Sequence, residues 1–320
     1  MNVRFWGVRG SVPAPLVGNQ VEEKILAALL QARSHHELLV ASPERLRELV
    51  RELPFVMRST FGGNTTCVEV RCNDRTFVLD MGTGLRELGV SWCRQKIVPQ
   101  QCVILQSHLH GDHIDGFPFW KQFYIPRSTF AAPIQMCGGT QGGASLQEAL
   151  QSVMSPPEFP VNFETERVRG MPIHFRPLFD GWAADFGAVR VLARGLHHPQ
   201  DCYGFRIEFG GHVVAFTTDH EPYCSNDVPS GLRELVSGAD LWITDCQYSL
   251  EEYKSKMGWG HSFPEYIAHV AVVCGARRIV TTHHDPESSD ERIERLAADV
   301  RDVSIIPTCA AFEGLEIEVT

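Results

Sequence analysis

Four residues of the types that bind metal ions occur within six positions of the segment CVILQSHLHGDHIDGF: His108, His110, Asp112 and His113. The apolar run directly before them predicts a buried strand. Side chains two residues apart in extended backbone point the same way, so His108 and His110 can bind one ion. Asp112 and His113 follow a turn that Gly111 makes possible, and they can face a second ion. A structural explanation is disfavoured because burying these polar groups without partners would be costly.

Two ions need more ligands than these four, and the sequence offers three further groups. They are His197 and His198 in GLHHPQDCYGF, Asp219 and His220 in VVAFTTDHEP, and His283, His284 and Asp285 in RRIVTTHHDPE. Each group follows an apolar run typical of a strand. Catalytic side chains commonly lie where a rigid strand gives way to a loop, so the three groups together favour one shared site.

The elements that must position these residues are predicted from apolar runs rich in Val, Ile, Leu and Phe, as in sheets covered on both faces. The expected strands are Val3–Trp6, Cys67–Arg71, Thr76–Leu79, Val103–Gln106, Val189–Ala193, Tyr203–Phe209, Val213–Thr217, Leu241–Thr244 and Arg278–Thr282. Several lead into a polar residue, namely Asp80, Ser107, Asp219, Asp245 and His283.

Helical spacing of apolar residues predicts helices within Phe263–Cys274 and Leu146–Val153. The segment Gly18–Arg58 reads as a helical insertion. Its second helix is expected to begin with Ser42 as N-cap and Pro43 as first residue. The apolar face of its first helix consists of Val21, Ile25, Ala28 and Leu29. This helical pair either packs on the body of the protein or forms a lid or a dimer contact.

Composition excludes several classes of protein. The 320 residues are 43% hydrophobic and carry a formal net charge of −10, which excludes a disordered chain and disfavours a long nucleic acid as partner. No apolar run approaches the roughly 18 residues of a membrane span, and MNVRFWGVRG lacks the apolar core of a secretory signal. We therefore expect a cytoplasmic protein with no membrane partner. Its ten cysteines, which form no C-x-x-C pair, are expected to be reduced.

The H-x-H-x-D-H motif with downstream His, Asp and His resembles the metallo-β-lactamase-fold hydrolases. The resemblance is closest to the branch that contains ribonuclease Z and the cyclic phosphodiesterases of phosphonate breakdown. It is carried by FWGVRGSVPAP, FGGNTTCVEV, FVLDMGTGLRELG, SHLHGDHIDGFPF, HHPQDCYGFRIE, FTTDHE, GWGHS and TTHHDP, but not by Gly18–Arg58 or much of Phe130–Arg176. It implies a four-layer αββα sandwich of mixed α/β (α+β) class. Residues 1–320 would form one domain, with residues 18–58 as a helical insertion.

The resemblance also implies a ligand set for two divalent metal ions. The first ion would be bound by His108, His110 and His198, the second by Asp112, His113 and His283, and both by Asp219. Nitrogen and carboxylate donors without thiolate suit zinc, manganese or iron, and zinc is the metal that the resemblance favours.

Two histidine doublets leave the choice of ligand open. His198 is preferred to His197 because a proline follows it, as in the family's His-Pro turn. His283 is preferred to His284 because a threonine precedes it, as in the family's Thr-His pair.

Four further roles follow from the resemblance. Asp80 is expected to orient a ligand histidine from behind, or alternatively to cap the turn Gly82–Leu88. His261 in GWGHS is expected to be a general acid or a contact to the leaving oxygen, or else a histidine at a helix start without a role. Asn64 in FGGNTTC would contact substrate or stabilise its own turn. Asp112 is counted among the catalytic residues as well as the ligands.

Paired divalent ions indicate hydrolysis. Two ions about 4 Å apart can share a hydroxide at neutral pH and stabilise both the attacking and the leaving oxygen. The expected function is therefore a dinuclear metal-dependent phosphodiesterase acting on a small diester such as a cyclic nucleotide. The alternatives are a tRNA 3′-processing nuclease, a thioester or lactone hydrolase, and a non-catalytic metal-dependent ligand-binding protein. A homodimer is the expected assembly if the insertion forms a dimer contact.

Overall fold

The computed structural model describes residues 1–33, 41–98, 101–130, 132–222 and 228–320. The strands in these ranges are β1 (Asn2–Gly7), β2 (Cys67–Cys72), β3 (Arg75–Leu79), β4 (Cys102–Leu105), β5 (Ile134–Gly138), β6 (Thr140–Gln141), β7 (Ala144–Ser145), β8 (Ile173–Pro177), β9 (Ala183–Phe186), β10 (Val189–Leu196), β11 (Cys202–Phe209), β12 (His212–Thr217), β13 (Leu241–Asp245), β14 (Ile279–Thr282), β15 (Thr308–Ala310) and β16 (Glu316–Glu318).

The helices in the same ranges are α1 (Gly18–Ala32), α2 (Pro43–Glu52), α3 (Phe55–Arg58), α4 (Gly84–Arg94), α5 (Gly111–Ile114), α6 (Leu146–Val153), α7 (Phe163–Arg169), α8 (Ser230–Val236), α9 (Leu250–Tyr253), α10 (Pro264–Cys274) and α11 (Asp290–Ser304). Short 3₁₀ turns occupy Phe117–Phe119, Lys121–Tyr124 and Arg127–Thr129.

Two seven-stranded sheets organise the described part of the chain. The first has the order β16-β1-β2-β3-β4-β5-β8, and the second has the order β15-β14-β13-β12-β11-β10-β9. Strands β3, β4, β5 and β8 are mutually parallel, and so are β12 to β15. The carboxyl ends of parallel strands lie at one edge of a sheet, and polar residues that follow them are brought together there.

Apolar side chains divide the molecule into four layers. A core of residues such as Phe5, Phe77, Phe205 and Phe216 fills the space between the two sheets. A second cluster joins the outer face of the first sheet to α4, α6 and α7, and a third joins the second sheet to α8, α10 and α11. The αββα sandwich and the mixed α/β class expected from the sequence are confirmed.

All nine predicted strands are present, with ends within three residues of the prediction. Helix α6 has the predicted bounds, and α10 begins one residue after Phe263, which is its N-cap. Strands β5 to β9, β15 and β16 were not predicted. Most of these are short edge or hairpin strands of two to five residues, in which alternation of apolar and polar residues is too brief to be recognised.

The insertion is helical, but its first helix does not bury the apolar face that the sequence suggests. Ser42 caps α2 as predicted, accepting a hydrogen bond from the Arg45 amide at 3.3 Å. Helix α1 has no buried residue, and Ile25 and Leu29 are 56% and 61% exposed. Lys24 attaches α1 to the body through an ion pair of 2.8 Å with Asp290. His35 and His36, expected to be dispensable, lie outside the described residues.

The last turn of the predicted insertion belongs to the body of the protein. The Phe55 ring in α3 lies 4.9 Å from the rings of both Phe61 and Phe312, measured between centroids. The helical excursion proper therefore ends near residue 54. Among all the described helices, none is long and apolar enough to cross a membrane. The nine cysteines in the described ranges are free thiols, and Cys224 lies outside these ranges.

Candidate metal centre

The predicted ligands come from the ends of strands in both sheets. Asp80 follows β3, the H-x-H-x-D-H segment follows β4, Asp219 follows β12 and His283 follows β14. Asp80, Asp219 and His283 have φ values of 63°, 60° and 55°. Such left-handed backbone is uncommon for residues other than glycine, and it is concentrated at functional sites. Here it occurs at three residues near strand ends whose side chains contact the same cluster.

Three histidines and one aspartate form the first group of candidate ligands. His110 Nδ1 lies 2.9 Å from His108 Nε2 and 3.4 Å from His198 Nε2. Asp219 Oδ2 lies 3.5 Å from His108 Nε2 and 3.9 Å from His198 Nε2. All four donor atoms are within 4.8 Å of one another, a spacing that one metal ion could bind.

A second group lies directly beside the first. His113 Nε2 and His283 Nε2 are 3.1 Å apart, and Asp112 Oδ2 is 3.3 Å and 3.1 Å from them. Asp219 Oδ1 lies 3.4 Å from His113 Nε2 and 3.2 Å from His283 Nε2. Asp219 thus presents one carboxylate oxygen to each group, which is the arrangement of a bridging ligand.

The second nitrogen of each of these histidines has a partner outside the cluster. The pairs are His108 Nδ1 with Ser107 Oγ at 2.9 Å, His110 Nε2 with Gln200 Oε1 at 3.0 Å, His113 Nδ1 with Asp80 Oδ2 at 2.8 Å, His198 Nδ1 with the Gly260 carbonyl at 3.2 Å, and His283 Nδ1 with the Gln247 carboxamide at 2.7 Å. Metal-binding histidines in proteins are held in this way, which orients the ring and selects its tautomer.

Asp80 holds the strand end as well as the histidine. Its Oδ1 accepts the Ser107 backbone N–H at 2.7 Å, and its Oδ2 accepts the Ser107 hydroxyl at 2.8 Å. Helix α4 begins after Thr83 without a side-chain cap. The structure therefore places the fully buried Asp80 behind His113, and it does not place it as a cap of the following turn.

Burial and close packing shift the pKa values of the groups in the cluster. Burial alone would raise the pKa of Asp219, but the neighbouring His283, His113 and His108 hold it well below its usual value. Burial lowers the pKa of His108, and the other histidines lower it further. Asp219 Oδ1 accepts no hydrogen bond from any described residue. Asp112 and Asp219 together raise the pKa of His113 and of His283, against the effect of burial. Imidazole nitrogens packed around carboxylate oxygens are donors that divalent cations take, so these residues fit the expected metal ions.

In each histidine doublet, the residue that was not preferred as a ligand has its hydrogen-bond partner elsewhere. His284 Nε2 donates to the Ala311 carbonyl at 2.9 Å, and burial lowers the pKa of His284 to about 3. His197 Nδ1 lies 3.0 Å from the Glu221 carbonyl. His283 and His198 are the members of each pair that face the other candidate ligands.

His261 lies beside the cluster and forms a third candidate group with Asp219 and His283. One of its ring nitrogens lies within 4.8 Å of the donor atoms of Asp219 and His283. Its Nδ1 is 3.3 Å from Asp245 Oδ2, and Asp245 is fully buried. The same oxygen accepts the Ser262 amide at 3.0 Å, which fixes the carboxylate against the start of α10. His261 Nδ1 forms no hydrogen bond with any described residue, so Asp245 is a close charged neighbour of the ring and does not orient it through a hydrogen bond.

Asn64 stabilises its own glycine turn. Its carboxamide nitrogen donates to Glu313 Oε2 at 3.1 Å, and its backbone N–H donates to Glu313 Oε1 at 2.6 Å. Its carbonyl accepts the amides of Val8 and Arg9, both at 2.9 Å. These contacts match the turn-stabilising alternative, and the substrate contact stays a prediction.

Several supporting residues were not assigned a role from the sequence: Ser107, Gln200, Glu221, Asp245, Gln247 and Gly260. Ser107 and Asp245 carried a usable signal, because both mark the end of a predicted strand. Gln200, Gln247 and Gly260 lie in loops, and only their position in the folded chain brings them to a ligand histidine. Glu221 is also in a loop, and its carboxylate holds the N–H groups of Gly258 and Gly260.

Comparison with known proteins agrees with this geometry. Residues 75–284 match the beta-lactamase superfamily domain, and the chain belongs to this superfamily as a metal-dependent hydrolase of the metallo-β-lactamase fold. Ribonuclease BN from Cronobacter sakazakii is 24% identical over 245 residues, which are 61% of this chain and 75% of that protein.

Two solved structures share the fold. A diphosphatase of the PhnP family superposes with a TM-score of 0.61 at 15% identity, over 99% of this chain and 96% of that one. Zn²⁺-bound PqqB from Methylobacterium extorquens superposes with a TM-score of 0.58 at 15% identity, over 99% of this chain and all of that one. At such identities these likenesses establish the fold alone.

Proposed function

We propose that this protein is a dinuclear metal-dependent phosphodiesterase acting on a small phosphodiester such as a cyclic nucleotide. The observation that carries the proposal is the orientation of Asp219. Its Oδ2 faces His108 and His198, and its Oδ1 faces His113 and His283. A carboxylate shared by two adjacent groups of donors suits a site that holds two ions, and two-ion sites include those of phosphatases and nucleases.

The residues that would hold the ions are those predicted from the sequence. His108, His110 and His198 would bind the first, Asp112, His113 and His283 the second, and Asp219 both. Zinc is the proposed metal, with manganese or iron as alternatives that suit the same nitrogen and oxygen donors. When bound, the ions supply Lewis acidity toward phosphate oxygens and an activated water.

The chain's own contribution to the reaction is the control of a proton. Hydrolysis of a diester forms a P–O bond to a water oxygen and breaks a P–O bond to the leaving alcohol, whose oxygen must take up a proton. His261 lies beside the cluster and is the proposed donor of that proton. The buried Asp245 carboxylate lies 3.3 Å from Nδ1 of the same ring. Asp112 accepts the Ser11 amide at 2.8 Å, which fixes its carboxylate. Its proposed contribution to catalysis is to bind the second ion.

A second candidate function is tRNA 3′-processing or a related ribonuclease activity. The likeness to ribonuclease BN favours it. The formal net charge of −10 favours the small diester, because a long nucleic acid is usually bound by a basic face. The small substrate, the cytoplasmic location and a homodimer formed through the insertion are all parts of the proposal.

One set of assays tests this proposal. Purified protein should contain two metal ions per chain after zinc or manganese is supplied. It should hydrolyse bis(4-nitrophenyl) phosphate and a 2′,3′-cyclic nucleotide, lose both activities to a chelator, and regain them when metal is restored. Cleavage of a tRNA precursor without turnover of the small diesters would favour the nuclease. One ion or none, or hydrolysis only of thioesters or lactones, would contradict the proposal.

A further inference from the structure

Trp259 differs from every other tryptophan in the protein. The chain contains six tryptophans, and five of them are buried in the core. Trp259 is 60% exposed. An exposed indole offers a large flat surface on which another ring can stack.

The backbone on both sides of this tryptophan is fixed. The N–H groups of Gly258 and Gly260 donate to the two carboxylate oxygens of Glu221, at 2.6 Å and 2.9 Å. Both glycines have positive φ, 86° and 90°, a conformation that other residues rarely adopt. Glu221 is itself buried and also accepts the Tyr253 hydroxyl at 3.0 Å. Trp259 is therefore displayed on a rigid turn.

The same turn is joined to the candidate metal centre. The Gly260 carbonyl lies 3.2 Å from Nδ1 of the candidate ligand His198, and the next residue is His261. The Tyr248 and His261 ring centroids are 5.9 Å apart. The Lys256 ammonium group lies 4.2 Å from the ring centroid of the buried Tyr248 and 5.6 Å from that of Trp259. The turn that carries the indole thus contacts one candidate ligand and continues directly into His261.

Internal packing does not account for the indole. Its described partner is the Lys256 cation, and an exposed cation–π contact is a weak interaction that does not require so large a ring. We propose that Trp259 is a stacking platform that binds the nucleobase of a nucleoside phosphodiester whose phosphate lies at the metal centre. This inference rests on the proposed phosphodiesterase function, and it specifies a nucleotide as the substrate class.

The position of His261 agrees with this assignment. The leaving alkoxide of a nucleotide diester is a ribose oxygen, which needs a proton, and the same side of the cluster carries His261. A nucleobase attached to that ribose would then lie toward Trp259. Stacking of a base on an aromatic side chain is sequence-tolerant, so purine and pyrimidine nucleotides should both be substrates.

Fluorescence tests the platform without turnover. Adenosine 5′-monophosphate, with excitation at the red edge of tryptophan absorption, should quench the emission of metal-loaded protein in a saturable way. Ribose 5-phosphate carries the same phosphate without a base and should not quench. Trp259→Phe should abolish the response to the nucleotide. Trp182→Phe, which removes a buried tryptophan, is the matched control and should preserve it.

Kinetics provide the second test. Trp259→Leu should raise KM for a 2′,3′-cyclic nucleotide by about 5- to 150-fold and change kcat little. It should leave KM for a cyclic phosphodiester of glycerol unchanged, and Trp259→Phe should lie between the two proteins. Equal effects on both substrates, or no saturable quenching of the wild-type protein, would overturn the platform. If the wild-type protein hydrolyses both diesters but fails these tests, the platform is wrong and the proposed phosphodiesterase function stands. If it hydrolyses neither diester but shows the saturable quenching, the phosphodiesterase function is wrong and nucleotide binding at Trp259 stands.

Discussion

The metal centre and the N-terminal helical insertion differ in how firmly their residues are held by the rest of the protein. At the metal centre every candidate ligand histidine has a partner on its second nitrogen. In the insertion, helix α1 buries none of its residues, and Lys24 attaches it to the body. The difference teaches that the positions of the reactive groups are determined by strand ends and buried hydrogen bonds. The insertion owes its form to its own helical sequence, so changes there should be tolerated by the site.

The largest effect is expected at the residue shared by both groups of ligands. Asp219→Asn should remove or weaken both ions together and reduce diester turnover to that of metal-free protein, because one carboxylate oxygen faces each group. Asparagine is preferred to alanine as the replacement since it tolerates the φ of 60°. Metal analysis by mass spectrometry and thermal unfolding would measure the outcome.

The exposed Asp302→Ala serves as the control for this substitution and should behave as wild type. If Asp219→Asn loses a single ion and keeps its activity, Asp219 is not a bridge.

The next largest effect should depend on the leaving group. His261→Ala should reduce turnover of a nucleotide diester by roughly 10²–10⁴-fold, the usual contribution of general acid–base catalysis. Hydrolysis of a nitrophenyl diester should fall far less, because nitrophenolate is stable without a proton. Both rates are measured at full metal occupancy, so damage to the fold would lower them together. Equal losses on the two substrates would assign His261 to positioning, and no loss would leave it without a role.

A smaller effect on metal binding is expected at Asp80, which contacts the ligand His113. Asp80→Asn keeps the backbone conformation at φ 63° but removes the charge that faces His113 Nδ1. Removal of such a partner typically costs about 10–100-fold in metal affinity or activity. Competition with a chelator of known affinity would measure the change, with Asp302→Ala again as the control. Unaltered metal affinity would show that the charge of Asp80 is not needed to orient His113.

The smallest effect on chemistry should come from the insertion. Replacing residues 18–54 by a short Gly/Ser linker should preserve two metal ions and the kcat for a nitrophenyl diester, while altering KM or oligomer size. Some thermal stability should be lost because Asp290 loses Lys24, and Lys24→Met alone would isolate that part. Loss of metal from a folded protein that lacks residues 18–54 would show that the insertion supports the site.

Prediction succeeded where the signal was local. The spacing of His108, His110, Asp112 and His113 and the strand before them needed only the periodicity of an extended chain. The ends of β3, β12 and β14 could be read in the same way, because an apolar run gives way to a polar residue. The sequence left alternatives open where packing decides the outcome: the exposed face of α1 has the same helical pattern as a buried one.

The sequence by itself determined the ligand types, their places at strand ends and the mixed α/β class, because these depend on residue chemistry and short-range periodicity. Only the tertiary structure decided that Asp219 shares its two oxygens between two groups of donors and that Asp245 lies beside His261. It also decided that Glu221 fixes the turn that carries Trp259. Those pairs join separate loops and strands, and their distances depend on the order of strands in two packed sheets. No local pattern contains that order, because it results from how the whole chain buries its apolar faces.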